Sequence, residues 1–372
     1  MKFHIVKREN CPLWKKCALY LGAVLMALLM GAALLLSLGV DPIAYYTRMF
    51  TMGTIGNKIA YKVYINYLKD FVPLVLTSVA LSLAFKMRFW NIGGEGQFIL
   101  GAIAAAFVAF KAGPMLPNGA TLVLMCLAAM LVAGLYGVFA AALKVKFGTN
   151  ETLMTLMLNY VALYILIYLG ETKAEWNFFL DESSVRPVFA SFSKIVSFPS
   201  IPMAGKFSLN ICVVLAVLLG IGMYIYLKYT KHGYEISVVG DSAGTAKYAG
   251  MKVNAIVLRT VFLSAALVGL AAAFKVGTAG ILSTSITDDV GWTGIIVAWL
   301  AQLNTVVIFV VSALICVLHY GSTVAAATFA QVDSSFANML QGAILFLVLA
   351  ADFFTRFRVL AVKKGGKSNG NG

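Results

Sequence analysis

Residues 121–143, TLVLMCLAAMLVAGLYGVFAAAL, carry no charged side chain. A helix that crosses the hydrocarbon core of a bilayer needs about 20 predominantly apolar residues, so this stretch predicts a membrane-spanning helix. The rest of the chain has the same character, because 61% of its 372 residues are hydrophobic and only 12% are charged. Soluble domains carry about 25% charged residues. The composition therefore predicts a protein whose solvent is largely lipid.

Nine further apolar stretches flank this one along the chain. The long ones are 17–39, 209–227 and 256–274, and the shorter ones are 71–85, 98–110, 153–169, 292–303, 306–318 and 339–351. Period-two alternation, which would indicate a β-barrel, is absent from the sequence. We therefore predict an all-α, polytopic membrane protein with about ten transmembrane helices, some of them broken or short. Broken helices are tolerated where they line a cavity, so the short stretches favour a pathway over a simple anchor.

The positions of lysine and arginine predict the orientation of the chain. Cytoplasmic loops carry an excess of these residues, and ten crossings that start inside place 19 of the 29 on the cytoplasmic side. Both termini are therefore predicted to be cytoplasmic. The first span is too long for the apolar part of a signal peptide, and we expect it to be retained.

This topology divides the chain into three predicted parts. Residues 1–16 form a cytoplasmic N-terminal segment, residues 17–352 a single transmembrane domain, and residues 353–372 a cytoplasmic basic tail. The long loops predicted within the transmembrane domain are 40–70 and 170–208 outside and 228–255 in the cytoplasm.

Several kinds of chemistry have no signature in this sequence. The net charge of +14 is spread over predicted cytoplasmic loops, so we predict no nucleic-acid binding. The five cysteines and three histidines show no disulfide or metal-ligand spacing, and no metal site is predicted. A complete phosphate-binding Gly-x-x-x-x-Gly-Lys-Ser/Thr loop is missing, because Ala361 stands five residues before Gly366. We therefore predict that the chain is not an enzyme and binds no ATP or other cofactor by itself.

A glycine-rich stretch, residues 91–97 with the sequence NIGGEGQ, lies between two of the short apolar stretches. Three glycines within four positions disfavour a helix interior. We therefore predict a tight turn or a broken helix here, with a new helix that begins after Gly96. The predicted hinge residues are the three glycines, Gly93, Gly94 and Gly96.

The same stretch carries the polar side chains of Asn91, Glu95 and Gln97. A carboxylate is favoured near a helix N-terminus, and discontinuous membrane helices often form solute sites. We therefore predict that these three residues line a polar pathway. The alternative is a hairpin turn at the cytoplasmic surface with a capping carboxylate, and Lys86 and Arg88 fit that alternative.

A second polar stretch, residues 148–160, has the sequence GTNETLMTLMLNY. Thr149 or Asn150 is a candidate helix cap. Thr155 and Asn159 then lie on one helix face, and a polar stripe on a membrane helix faces another helix or a cavity. The pathway residues predicted here are Asn150, Glu151 and Asn159. Packing between helices is the alternative, and we favour it for Thr155.

A third stretch lies in the cytoplasmic loop. Asp241 or Ser242 is a candidate cap for a short helix over residues 243–249, which Gly250 would end. Such a helix either docks into a groove on a partner and transmits force, or rests solvated on the bilayer surface.

Together these stretches resemble the permease subunits of bacterial importers for simple sugars, nucleosides and branched-chain amino acids. Residues 91–97 are similar to the Asn-Ile-Gly-x-Glu-Gly-Gln signature of the nucleoside and simple-sugar branch, and residues 148–159 to its Gly-x-Asn-Glu-x-x-x-Thr-x-Met-x-Asn stretch. Residues 239–251 resemble its coupling loop, and 264–271 and 291–295 also match. The sequence departs from this family at Gln302, where an arginine is usual, and at Asp241-Ser242-Ala243, where an Asn-Pro pair is common.

The resemblance implies a transmembrane permease subunit of an ABC importer, in the bacterial plasma (inner) membrane, that moves nucleosides or simple sugars inward. ATP and Mg would be bound by a separate ABC ATPase subunit. The other implied partners are a second permease, related or identical, an extracytoplasmic solute-binding protein and the small polar solute itself. The residues implied in coupling to the ATPase are Asp241, Ala246, Lys247, Tyr248, Ala249 and Gly250.

Two other functions compete with this one. A secondary transporter coupled to protons would need an ionisable group within its spans, and Glu95 is the candidate. A membrane enzyme that acts on lipid would need paired catalytic groups. Asp288 and Asp289 are adjacent carboxylates near Trp292, but a solvated external loop accounts for them better.

Overall fold

The computed structural model describes residues 2–7, 12–57, 59–193, 196–203, 207–333 and 335–362, and 73% of the chain is helical. The helices of this described part are α1 (Leu13–Ser37), α2 (Pro42–Phe50), α3 (Ala60–Lys86), α4 (Gly94–Ala112), α5 (Asn118–Phe147), α6 (Glu151–Glu171), α7 (Ile211–Tyr229), α8 (Lys231–Asp241), α9 (Ala243–Tyr248), α10 (Val253–Ala279), α11 (Val290–Leu300), α12 (Thr305–Ala326) and α13 (Phe336–Arg356). The strands are β1 (Lys2–Lys7), β2 (Ser200–Pro202), β3 (Ser208–Asn210) and β4 (Phe357–Val362). β1 pairs with β4, and β2 with β3, both antiparallel.

Nine helices within the described ranges are long and apolar enough to cross a membrane, namely α1, α3, α4, α5, α6, α7, α10, α12 and α13. α11 is apolar but has only 11 residues. Each of the ten apolar stretches in the sequence overlaps one of these ten helices. The prediction of an all-α polytopic membrane protein is confirmed.

Most of the short apolar stretches belong to longer helices. α3 has 27 residues, although its apolar stretch covers only 71–85. Its earlier turns are polar, and Asp70 there forms an ion pair of 2.6 Å with Lys275 of α10. A charge that has a partner can be kept within a membrane helix, so composition alone starts the predicted helix too late. Among the described helices that match these stretches, α11 is the one that remains short.

The described chain forms two compact units, Thr54–Val317 and a unit made of Met1–Gly53 with Leu318–Gly372. In the second unit α1 packs on α13, and the fully buried Tyr45 of α2 has its hydroxyl 2.8 Å from Ser322 Oγ. Because β1 pairs with β4, the residues next to the two termini lie at the same end of the α1–α13 pair. The arrangement fits the even number of crossings predicted from the sequence, and that number stays a prediction. The side of the membrane on which they lie stays a prediction.

The predicted limits of the transmembrane domain differ from the helix ends by a few residues. α1 begins at Leu13 and α13 ends at Arg356, whereas the sequence suggested 17 and 352. Residues 8–11 of the predicted N-terminal segment and 363–372 of the predicted basic tail lie outside the described residues. The division into one transmembrane domain with two cytoplasmic ends stays a prediction.

α10 is the central helix of the Thr54–Val317 unit, where it packs against α3, α4 and α5. Small residues allow this close packing. A Cβ atom added to Gly101 of α4 would lie 2.8 Å from the Cα atom of Gly269, and one added to Gly269 would lie 2.3 Å from the Ala129 carbonyl oxygen of α5. Small residues at such crossings let membrane helices approach closely, and here they bring α4 and α5 into close contact with α10.

Candidate functional site

The turn between α3 and α4 folds back into the protein. α3 ends at Lys86, and Arg88 has a left-handed φ of 56°. α4 begins at Gly94, where an added Cβ atom would lie 3.0 Å from the Leu81 side chain. Leu81 precedes the end of α3 by five residues, about one and a half helical turns. The start of α4 is therefore recessed within the protein relative to the end of α3.

The glycines of this turn differ from the prediction. Gly94 and Gly96 lie in the first turn of α4, so the expectation of a helix that begins only after Gly96 is wrong. The helix tolerates them because they allow close packing against α6. A Cβ atom on Gly96 would lie 3.0 Å from the Cα atom of Asn159, and one on Gly93 would lie 3.1 Å from Thr155. A hinge role for the three glycines stays a prediction.

Asn91 and Gln97 form a reciprocal amide pair. Asn91 Nδ2 donates to Gln97 Oε1 at 3.2 Å, and Gln97 Nε2 donates to Asn91 Oδ1 at 3.0 Å. The Gly93 N–H also donates to Asn91 Oδ1, at 3.1 Å. Both side chains are buried. Buried amides need such partners, so this pair stabilises the shape of the turn.

Asn159 of α6 binds the same turn from the side. Its Oδ1 accepts a hydrogen bond of 2.8 Å from the Gly96 N–H, and its Nδ2 donates to the Ile92 carbonyl oxygen at 2.9 Å. Thr155 Oγ1 accepts a hydrogen bond of 3.2 Å from the Ile92 N–H. The polar face of α6 therefore supplies partners for backbone groups that the break between α3 and α4 leaves without helical ones.

Glu95 is the acidic side chain of this turn. It is 8% exposed, and its Oε2 accepts a hydrogen bond of 2.8 Å from the Gly291 N–H. The Thr287 side chain and the Trp292 N–H also hydrogen-bond with this carboxylate. A helix N-terminus presents unpaired N–H groups and positive partial charge. Glu95, which lies in the first turn of α4, therefore also caps the start of α11.

A cavity of about 400 Å³ opens beside Glu95. One side, which we call the helix wall, consists of Glu95, Ile99, Asn159, Tyr160 and Leu163 from α4 and α6. The other side, the loop wall, consists of Thr284, Ser285, Thr287, Asp288, Asp289 and Trp292. The lining thus combines carboxylates, hydroxyls, one amide and two aromatic rings, which suits a small polar molecule.

Asp288 and Asp289 have left-handed φ angles of 48° and 56°. Aspartate tolerates this conformation better than most residues. Both residues are exposed, as expected for a loop, yet they lie in the wall of the same cavity as Glu95. The exposed loop agrees with the interpretation from sequence, and the structure adds that this loop lines the cavity.

The far end of α11 also contacts the turn. The ring of Trp299 stacks on Trp90 with centroids 5.2 Å apart and planes at 16°, and Phe85 lies against both rings at 6.2 and 5.6 Å. Near its start, α11 is bound through Gly291 to Glu95. Because α11 is attached to the turn at both ends, we expect the two to move together.

The short helix predicted over residues 243–249 is confirmed as α9 (Ala243–Tyr248), and its cytoplasmic location stays a prediction. Ser242 Oγ accepts a hydrogen bond of 3.2 Å from the Thr245 N–H, and Gly250 follows the helix with a left-handed φ of 75°. The residues around its outer face that are exposed include Asp241, Lys247, Tyr248, Ala249 and Gly250. Tyr248 is 97% exposed.

Ala246 is the exception among the predicted coupling residues, because it is fully buried. It belongs to a cluster with Met87, Phe89, Ile236 and Val239. The last two come from α8, a helix that the sequence analysis did not predict. Ala246 therefore anchors α9 on α8 and on the turn after α3, and it is not part of the exposed face.

α8 is itself fixed to the spans. A Cβ atom on Gly240 would lie 2.1 Å from the Lys86 carbonyl oxygen at the end of α3. Glu235 Oε2 accepts a hydrogen bond of 2.8 Å from Arg259 of α10, and this bond holds the pKa of Glu235 below its usual value. A continuous set of contacts thus connects α9, α8 and the turn that leads to Glu95.

The sequence model of the family described as "Branched-chain amino acid transport system / permease component" matches residues 63–349, which include the cavity, the turn and α8–α9. The chain belongs to this permease family. With its membrane helices, it is a multi-pass ABC transporter permease of the simple-sugar and nucleoside type.

Curated relatives agree with this assignment of the permease. A glucose ABC transporter permease protein of Haloferax volcanii is 28% identical over 365 residues, which cover 95% of this chain and 92% of the relative. A guanosine ABC transporter permease protein of Bacillus subtilis is 28% identical over 92% of this chain and 96% of its own. A nucleoside ABC transporter permease protein of Lactococcus lactis is 26% identical over 83% and 84%. No solved structure matches the chain.

The pathway residues predicted for the permease separate into three groups. Glu95 and Asn159 line the cavity, while Asn91 and Gln97 brace the turn. Asn150 and Glu151 lie at the start of α6, eight or more residues before Asn159. The Asn150 side chain accepts hydrogen bonds from the N–H groups of the second and third residues of the helix, and Glu151 forms an ion pair with Lys144. These contacts are those of a helix start, and a pathway role for the pair stays a prediction.

The loop wall is the part of the site that the sequence analysis missed. Residues 283–289 have the sequence STSITDD, a polar run between two apolar stretches. Such a run after a membrane span usually indicates an exposed loop. The contact between Gly291 and Glu95 brings this run to the cavity, and the two residues are 196 positions apart in the chain.

Proposed function

We propose that this permease is the membrane-spanning subunit of an ABC importer that moves a nucleoside or a simple sugar inward. The cavity is the observation that carries the proposal, because about 400 Å³ lies within the size range of small-molecule sites. Relatives carry the names of glucose, nucleoside and guanosine permeases. These are neutral molecules with several hydroxyl groups, and the polar lining of the cavity suits such a solute.

The lining offers two kinds of contact to a sugar or nucleoside ring. Carboxylate and hydroxyl groups of the loop wall exchange hydrogen bonds with ring hydroxyls. The rings of Tyr160 and Trp292, which are 52% and 36% exposed, provide flat apolar faces. A transport site must also release its solute, and a half-open wall with exposed groups suits transient binding.

ATP hydrolysis on a separate ATPase subunit, which binds ATP and Mg, is the proposed source of energy. α9 is the proposed docking element, because Lys247 and Tyr248 project from it while Ala246 is anchored beneath them. Force on α9 reaches Phe89 through the buried cluster, and from there Glu95 and α11. The ATPase then biases the balance between outward-open and inward-open states by binding them with different affinity.

The assembly proposed around this chain contains a second permease, either related or identical, two ATPases and an extracytoplasmic solute-binding protein. Its location is the bacterial plasma (inner) membrane. The chain itself transports and does not catalyse a reaction, and nucleic acid is not a partner.

Uptake into proteoliposomes tests this function. The permease is purified with the subunits that remain bound to it and is reconstituted with the solute-binding protein on the outside. Labelled guanosine, ribose and glucose are supplied with and without internal ATP. We expect uptake of one class of solute that requires ATP and stops when the ATPase carries an inactivated ATP site.

A charge reversal on α9 tests the coupling step in the same vesicles. Lys247→Glu is expected to insert normally and to lose ATP-driven uptake, whereas Lys62→Glu on the predicted external side keeps it. Uptake by the chain alone, driven by a proton gradient and abolished by Glu95→Gln, would instead establish the secondary transporter.

A further inference from the structure

The ionisable carboxyl groups that line the cavity are its only potentially charged side chains among the described residues. Its lining contains the carboxylates of Glu95, Asp288 and Asp289, and no lysine, arginine or histidine is among the lining residues that the structure describes. Asp288 and Asp289 are exposed, and low-dielectric walls strengthen the field of such charges at the cavity mouth. A solute that enters therefore meets a negative potential.

The carboxylates of the loop wall contribute to this potential on the side of the cavity that a solute can reach. Asp288 and Asp289 are both exposed, whereas the N–H groups at the start of α11 are directed to Glu95. The positive end of that helix is thus taken up by a carboxylate of the protein and does not offer itself to an anion. Thr284 and Ser285 line the same cavity as the two aspartates, and their hydroxyls can hydrogen-bond a neutral solute.

We propose that the loop wall makes the permease itself select against anionic solutes, so that sugar phosphates and nucleotides are excluded while neutral and cationic analogues enter. This inference rests on the proposed transport function for its biological meaning. The negative potential on which it depends is a property of the cavity, and it is measurable without transport.

Thiol labelling measures the potential directly. Ser285→Cys places a thiol in the cavity wall, and Met115→Cys places one at a loop position that is 85% exposed and away from the cavity. Each variant, reconstituted as the full chain, reacts with methanethiosulfonates that carry either an ammonium or a sulfonate group. Mass spectrometry reads the rate at the single introduced position, so the native cysteines remain in place.

We expect the cation-to-anion rate ratio at position 285 to exceed that at position 115 by about tenfold or more, as focused fields of this kind produce. The ratio should decrease when Asp288→Asn or Asp289→Asn is added. It should also decrease in the unaltered background between about 0.01 and 1 M salt, because the Debye length shortens from about 30 to 3 Å. Equal ratios at the two positions would overturn the proposal, whatever the uptake assay gives.

Competition for uptake tests the transport consequence. Against labelled nucleoside, the 5′-amino-5′-deoxy analogue should compete and the 5′-monophosphate should not. Since the solute-binding protein also selects, each competitor is compared between the unaltered permease and Asp289→Asn with the same binding protein. A monophosphate that competes equally well with both, and as well as the amino analogue, contradicts selection by the loop wall.

Discussion

The two walls of the cavity are both polar, but they are built in different ways. In the helix wall, Asn159 binds backbone groups on either side of the α3–α4 break, and Glu95 accepts hydrogen bonds from the start of α11. In the loop wall, Thr284, Ser285 and the two aspartates are exposed. Buried polar groups that bind other parts of the protein fix its shape, whereas exposed polar groups are accessible to a solute even where they also contact the protein. The comparison assigns stability to the helix wall and solute recognition to the loop wall.

Replacement of Asn159 should break the helix wall and have the largest effect. Asn159→Leu leaves the Gly96 N–H and the Ile92 carbonyl without their partner, and each such buried loss costs about 1–3 kcal/mol. We expect a clear loss of thermal stability and of uptake. Asn150→Ala is the matched change on the same helix, and loss of its cap should cost only about 1 kcal/mol. Equal thermal stabilities of the two variants would show that Asn159 does not support the break.

Gly291 joins the two walls, and a methyl group there should force them apart. In Gly291→Ala the new Cβ atom meets the Glu95 backbone at 2.4 Å, and overpacking of this kind costs about 1–3 kcal/mol. Because the displacement reaches the cavity, we expect uptake to decrease by about tenfold.

Gly222→Ala in α7 is the control, since an added Cβ atom there has no neighbour within 4 Å. Thermal unfolding and uptake are measured for both glycine variants. Similar values would mean that α11 moves away from Glu95 without cost.

Asp289→Asn should separate recognition from stability and have the smallest effect on folding. The residue is exposed, and asparagine tolerates its left-handed backbone, so the unfolding free energy should stay within about 0.5 kcal/mol. Loss of a charge-assisted hydrogen bond of about 1 kcal/mol should raise the solute concentration at half-maximal uptake by about fivefold. Glu182→Gln, an exposed carboxylate outside the cavity, should leave that concentration unchanged. A fall in stability without a change in this concentration would place Asp289 with the helix wall.

The local features of the site were predictable where they depend on neighbours in sequence. The helix α9, its Ser242 cap and its terminating Gly250 follow from capping chemistry that involves only a few adjacent residues. α8 was missed, because its pattern is that of a polar loop and its helix is held by packing against α3 and α10. The predicted start of α4 was three residues late, because three glycines disfavour a helix unless another segment of the chain packs against the space that their missing side chains leave.

Pairing over long distances in sequence was not predictable in this way. The polar face of Thr155 and Asn159 was evident from its spacing, but its partner, the backbone on either side of Ile92, was not. The family resemblance placed Ala246 among the coupling residues, and only the cluster around Phe89 shows that it is buried.

By itself, the sequence determined that this chain is a membrane protein, how many apolar segments it has and which short stretches are polar. These features follow from local composition, because lipid solvation and helix capping depend on residues that are close in sequence. The tertiary structure decided that Glu95 caps the start of α11 and that residues 283–289 form a wall of the cavity. It also decided that the amides of Asn91 and Gln97 hydrogen-bond to each other. These outcomes depend on close approach of segments far apart in the chain, at glycines such as Gly96 and Gly291. A single sequence shows that a glycine is present at such a position. Which atoms pack against the glycine, in the space that a side chain would fill, depends on the tertiary structure.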